Sequence, residues 1–212
     1  MIKMKFNDFG RCLTCCHNPC DCEKNSMKIL YFDCETTGTN HLLNEIVQFA
    51  AIVEIDSIVK EQVNFKCQPT NWEAIDAKAL EVTGLTIEKL KTFEKPEIVA
   101  KNIQNLFNKY IDKYDKTDKF FPAGHNVLFD INFLQSFWIK HLDKYGTGSY
   151  QNWQSLDSRV FANFLNVAGK LKVENIKLET LCKYYGIEIN AHDALSDINA
   201  TRLLIKKMIS FL

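Results

Sequence analysis

Asp33 and Glu35 stand two apart, directly after a short apolar run (ILYF, residues 29–32). On an extended strand that spacing sends both side chains to one face, so two carboxylates converge at a strand end. Paired anions there are costly unless a cation or a proton compensates them. The plainer account is a pair of solvated turn acids. Asp130 sits in GHNVLFDINFL. On a helix it shares a face with Asn126, Phe133, Leu134 and Phe137, an apolar surface where an ordinary surface Asp is not placed. A buried Asp paired with a Lys or a backbone amide would also fit. His192 and Asp197 lie five apart around an expected helix start, with Asp193 as N-cap. Acids at 193 and 197 would complement a helix N-terminus even if they did nothing else. Taken together, four acids and one His are the inventory of two-metal phosphoryl hydrolysis. Two divalent ions about 3.5–4 Å apart stabilise the attacking and leaving oxygens. Oxygen ligands select Mg²⁺ or Mn²⁺ over Zn²⁺. A His near neutrality can take the proton of the attacking water.

The elements that must position these residues are legible in outline. Residues 29–32 read as a buried central strand. Residues 46–55 and 58–67 read as two further strands joined at Asp56–Ser57, which gives an antiparallel meander. Short helices are expected over 74–82 and 86–91, with Gly84 as the stop between them. A longer helix starts at Pro96 and runs to about residue 112. Residues 119–123 read as a strand, and Asn126 as the cap of a helix to about 143. Residues 146–149 (GTGS) read as a loop and 154–156 as an edge strand. Asp157 caps a helix to about 167, and helices over 178–185 and 193–209 follow. The expected fold class is α/β, a mixed central sheet of three antiparallel strands plus parallel strands flanked by helices.

With 212 residues the chain suits one α/β domain. Its 46% hydrophobic and 25% charged residues exclude a disordered or fibrous protein. The sequence holds no apolar run long enough to span a membrane and no signal-peptide core, so no membrane role is expected. The expected location is the cytoplasm or the nucleoid. Twenty-six basic residues balance 26 acidic ones. A protein that only coats nucleic acid carries excess positive charge, so any polynucleotide would be gripped over a short stretch, helped by bound cations.

Five of the eight cysteines fall within residues 12–22, and a boundary near residues 25–27 separates this Cys-rich arm (1–26) from the α/β domain (27–212). Without a secretory signal, metal binding is preferred to disulfides. Cys12, Cys15, Cys20 and Cys22, with His17 as an alternative ligand, have the donors for one tetrahedral structural Zn²⁺. A tail whose thiols oxidise is the other reading.

The segments FDCETTG, GHNVLFDINFL and HDALSDINATRLL resemble the three exonuclease motifs of the DEDDh superfamily. That superfamily includes the epsilon proofreading subunit of bacterial DNA polymerase III. The segments VTGLT (82–86), SLDSRVFANFL (155–165) and KLETLCKYYGI (177–187) also match, so the resemblance covers residues 27–212. It implies a ribonuclease H-like fold and a metal-dependent 3′→5′ exonuclease that releases 5′-mononucleotides from single-stranded or frayed DNA ends. Asp33, Glu35 and Asp197 would hold one metal; Asp33 would bridge to a second, supported by Asp130; His192 would be the general base. Thr36, Thr37 and Gly38 would approach the terminal nucleotide, and Asn126 would hold the strand. A DNA polymerase is the partner implied. Two alternatives stay open: an RNA-trimming, oligoribonuclease-type enzyme, and a non-catalytic nucleic-acid or partner-binding module with a zinc arm. Neither oligomeric state nor host follows from the sequence.

Overall fold

The structure, a computed structural model, describes residues 26–189 and 194–210. The Cys-rich arm, and with it Cys12, Cys15, His17, Cys20 and Cys22, lies outside the described residues, as do His192 and Asp193.

Five strands form one mixed sheet in the order β3-β2-β1-β4-β5. β1 (Lys28–Thr36), β2 (Ile46–Ile55) and β3 (Ile58–Lys66) make the antiparallel meander. Asp56 and Ser57 close its hairpin, both with positive φ, as a tight turn between right-twisted strands requires. β4 (Phe121–Gly124) and β5 (Leu156–Asp157) extend the sheet in parallel from β1. Among the described residues seven α-helices flank it: α1 (Ala77–Thr83), α2 (Ile87–Leu90), α3 (Pro96–Tyr110), α4 (Val127–His141), α5 (Ser158–Val167), α6 (Leu178–Tyr185) and α7 (Ala194–Ile209). The architecture is the ribonuclease H-like α/β fold.

The pleat of β1 divides the core. Leu30, Phe32 and Cys34 point to the side of α3 and α4, where they pack with Val99, Ile103, Phe107, Leu134 and Trp138. Ile29 and Tyr31 point to the other side, against Ala194, Ile198 and Ile205 of α7. α7 is apolar on a second face too, where Ala200, Leu204 and Met208 meet α5 and α6. It is therefore clamped between the sheet and two helices.

Four local expectations are corrected. The helix expected over 74–82 begins at Ala77, because Asp76 caps it by accepting from the Lys78 N–H; a separate 3₁₀ turn covers Trp72–Ala74. The fourth strand lies at Phe121–Gly124 rather than 119–123. GTGS is a 3₁₀ turn with Gly146 and Thr147 buried, because the Gln135 carboxamide anchors it by accepting from the Thr147 N–H and hydroxyl. Asn126 occupies the start of α4 but makes no side-chain cap bond, since its own backbone is left-handed at φ 65°. Asp157 supplies that function, accepting from the N–H groups of Asn126 and Val127. It also caps α5, as expected, through Arg159 and Val160.

Candidate active site

Odd-numbered residues of β1 face α7, so Asp33 and Glu35 continue the Ile29–Tyr31 column beyond the point where β4 pairs with it. The last residue of β4, Gly124, sits close to both neighbours: a Cβ there would lie 3.2 Å from the Phe32 carbonyl oxygen and 3.0 Å from Val127. The opening at the carboxyl ends of parallel strands is where α/β sheets characteristically receive ligands. α7 brings Asp197, in its first turn, over the same spot. Ligand oxygens of Asp33, Glu35 and Asp197 all lie within 4.8 Å of one another.

Asp130 arrives from the opposite side of the sheet. It is 3% exposed, in the first turn of α4, and accepts a hydrogen bond from the Cys34 N–H at 2.9 Å. The buried carboxylate thus meets a backbone amide located between the two strand acids. Burial pushes the Asp33 carboxyl up to about 8, helped by the charges of Glu35 and Asp197. Burial, then the charge of Asp33, holds Asp130 well above the usual carboxylate range as well, against the pull of the Cys34 amide. Such a group of anions is relieved by a cation, and hard carboxylate oxygens suit a divalent one.

The remaining site candidates have distinct surroundings. Thr36 is buried and its hydroxyl donates to the Gly38 carbonyl. Thr37 is fully buried; its N–H donates to the Glu45 carbonyl, and its hydroxyl accepts from the Glu45 N–H. Gly38 packs so closely on Asn44 that a Cβ would come within 2.5 Å of that side chain. These three residues form a rigid turn at the mouth of the site. Asn126 is exposed at the start of α4. A cleft of about 460 Å³ adjoins Glu35 and Thr36, walled by Val82 and Phe129, with exposed Lys78 among its lining.

Two positioning features were missed from sequence. The first is Asp157, which fixes the start of Asp130's helix as well as its own. The second is Glu54, 2% exposed at the end of β2, whose Oε2 accepts from Arg202 Nε at 2.6 Å and lies 2.5 Å from its Nη2 and 2.8 Å from Lys206 Nζ. Glu54 pairs with Ile29 across the ladder, four residues before Asp33 and so about 13 Å from it along the strand. Arg202 and Lys206 lie five and nine residues past Asp197. The clamp thereby fixes how far α7 slides along the sheet. Its signal was available: a lone acid closing the otherwise apolar IVQFAAIVEI, and two cations four apart on one helix.

Residues 30–204 match the model of the RNase_T exonuclease family. The chain belongs to that family. Among curated relatives of this RNase_T domain, exodeoxyribonuclease I of Escherichia coli is 30% identical over 199 residues, covering 86% of this chain and 40% of that protein. The PolC-type DNA polymerase III of Halalkalibacterium halodurans is 29% identical over 183 residues, covering 86% of this chain and 11% of that one. The chain thus spans well under half the length of these relatives. Among solved structures, E. coli exonuclease I in complex with a dT13 oligonucleotide superposes with a TM-score of 0.67 at 27% identity, over 86% of this chain and 40% of that one. The zinc-bound form of the E. coli exonuclease I–ssDNA complex gives 0.68 at 28%, over 88% and 43%. No helix among the described residues of the RNase_T domain is long and apolar enough to cross a membrane.

Proposed function

We propose that this RNase_T domain is a metal-dependent 3′→5′ exonuclease that removes 5′-mononucleotides from single-stranded or frayed DNA ends. The observation that carries the reading is the meeting of Asp33, Glu35 and Asp197 within 4.8 Å, with Asp130 tethered to the intervening Cys34 amide. The donor set fits Mg²⁺ or Mn²⁺: Asp33, Glu35 and Asp197 would hold one ion, and Asp33 with Asp130 a second. Bound there, the ions supply compensation for charge building on the attacking and leaving oxygens. The chain's own residues do the rest. Asp130 and the strand acids are held by the fold before substrate arrives. The cleft between Val82 and Phe129 offers apolar walls for the terminal base, a sequence-tolerant contact. His192, five residues before Asp197 in sequence, would take the proton of the attacking water, a role that imidazole side chains commonly fill.

DNA is favoured because the relatives are named as DNA polymerases and an exodeoxyribonuclease. The PolC relatives also motivate a polymerase as partner, and such a role belongs in the cytoplasm or at the nucleoid. The Cys-rich arm is read as a separate unit in which Cys12, Cys15, Cys20 and Cys22, or three of them with His17, hold one Zn²⁺, on the strength of their spacing. Zinc analysis of the full chain should then give one ion, lost in a Cys12→Ser/Cys15→Ser variant.

The decisive assay is incubation with Mg²⁺ and 3′-labelled single strands of DNA or RNA. Release of labelled mononucleotide from DNA, absent in Asp33→Ala, is the expected result. Degradation of RNA alone would favour the RNA-trimming alternative, and no release from either with Mg²⁺ or Mn²⁺ would sink the enzyme reading. His192→Ala should slow hydrolysis by about 10²–10⁴-fold while Mn²⁺ still binds.

A further inference from the structure

A groove of about 480 Å³ lies away from the carboxylates, on the flank of α4 and the segment leading into β4. Its upper wall is Ile131, the residue after Asp130, and its lower end is formed by Lys116 and Lys119, ahead of β4. It therefore starts within one helical turn of a site residue and runs toward the opposite end of the sheet. Two aromatic side chains stand over it, Trp153 at 89% exposure and Tyr145 at 76%. Lys144 Nζ lies 5.4 Å from the centroid of the Tyr145 ring, which adds a cation beside that exposed ring.

The floor is polar and rigid. Gln135 is fixed, because its Oε1 accepts from both the N–H and the hydroxyl of Thr147 and its carboxamide packs where Gly146 has no Cβ. Gln151, 7% exposed, keeps its Nε2 group buried without a hydrogen-bond partner among the described residues. A buried donor in that state is an energetic cost that a bound acceptor would remove. Among the described residues no carboxylate contributes to the lining, although the chain as a whole is neutral.

We infer that this groove is a second binding site for single-stranded nucleic acid, holding the part of the strand upstream of the end being cleaved. Bases stack on Trp153 and Tyr145, and Lys116 and Lys119 take the phosphates. Stacking faces set beside cations are the arrangement that holds single strands with little regard to sequence. It also answers the charge problem: a neutral chain can grip a polyanion if its lysines are gathered where acids are absent. The inference rests on the exonuclease reading for the direction of the strand.

The test measures binding of labelled oligothymidylates of about four and about twenty nucleotides to the full chain in EDTA, so that hydrolysis cannot interfere. The wild-type protein should prefer the longer strand. Trp153→Ala should lower affinity for that strand about tenfold, the worth of one stacked base. Lys116→Ala/Lys119→Ala should reduce the slope of log affinity against log salt by about 0.7 per lysine. Oligouridylate of the same length, run in parallel, shows whether the groove takes DNA alone or either backbone. Unchanged affinity and salt slope in both variants on both strands would overturn the inference. Failure of the exonuclease reading shows differently, as no mononucleotide release by the wild-type chain when metal is supplied.

Discussion

The interface between α7 and the sheet carries acid at both ends, buried Glu54 at one and half-buried Asp33, Glu35 and Asp197 at the other, and the two ends handle it in opposite ways. At the lower end Glu54 is met by two cations, Arg202 and Lys206, supplied by the same helix. At the upper end Asp197 is brought up to Asp33 and Glu35, and the charges that act on Asp33 are those of its acidic neighbours. The lower cluster is balanced by the fold and serves as a fastener. In the upper one, close acids are gathered where a cation would relieve them. A buried ion pair is weak evidence of function, whereas gathered like charges at a strand end are expensive unless something else uses them. The fastener is what lets the expensive arrangement persist, because apolar contacts alone are non-directional and would let α7 slide.

Several substitutions would break or sharpen this contrast. The largest effect is expected from Asp33→Asn, which should lower hydrolysis by about 10³-fold or more, a loss of several kcal/mol of transition-state stabilisation. The same change should raise the melting temperature of the metal-free protein at neutral pH, since folding no longer requires a carboxyl here to take up a proton that the unfolded chain has lost. A lower melting temperature would contradict the electrostatic account. Glu54→Gln should act in the opposite sense, destabilising the fold by about 2–3 kcal/mol because Arg202 and Lys206 lose their buried counter-ion. Chemical denaturation would read it, and an unchanged midpoint would show that the clamp carries no weight. In the folded fraction of that variant Mn²⁺ affinity should also fall, as α7 loses its register.

Asp157→Ala should cost about 1–2 kcal/mol, since four N–H groups at two helix starts lose one acceptor. Amide exchange should show both helix starts loosening; loosening of α5 alone would refute the shared cap. The pH dependence of stability follows from the carboxylate cluster. Asp33 has a folded value of about 8 against an ordinary 3.8, so the folded protein holds this proton more tightly than the unfolded chain. Its stabilising contribution is complete below the ordinary value and is lost progressively as pH rises to about 8. Metal-free protein should therefore lose stability between about pH 4 and pH 8 and level off above that. Asp33→Asn or added Mg²⁺ should flatten that slope.

How much was legible depended on the range of the interaction. The common face of Asp33 and Glu35 follows from the two-residue period of any strand, and it is seen in the structure. Asp130 was placed correctly on a buried face by helical spacing, and its partner is a backbone amide, one of the two options the pattern left open. Helix α6 was bounded correctly, from Leu178 to Tyr185, because Gly186 adopts the left-handed conformation that ends it. The start of α4 was misread, since Asn126 is a good cap by type but the acceptor came from 31 residues away. GTGS looked like solvent-exposed loop because its anchor, Gln135, belongs to another element.

By itself, then, the sequence determined which residues could act, the order of the elements, and the family to which the chain belongs. These are properties of consecutive side chains and of motif spacing, and they need no knowledge of what lies across the sheet. Only the tertiary structure decided that Asp197 closes on Asp33 and Glu35, that Cys34 holds Asp130 from 96 residues away, and that Arg202 grips Glu54 across 148. Those pairings depend on how α4 and α7 settle on opposite faces of β1. That outcome is fixed by the packing of whole surfaces, in which no single stretch of residues contains the answer.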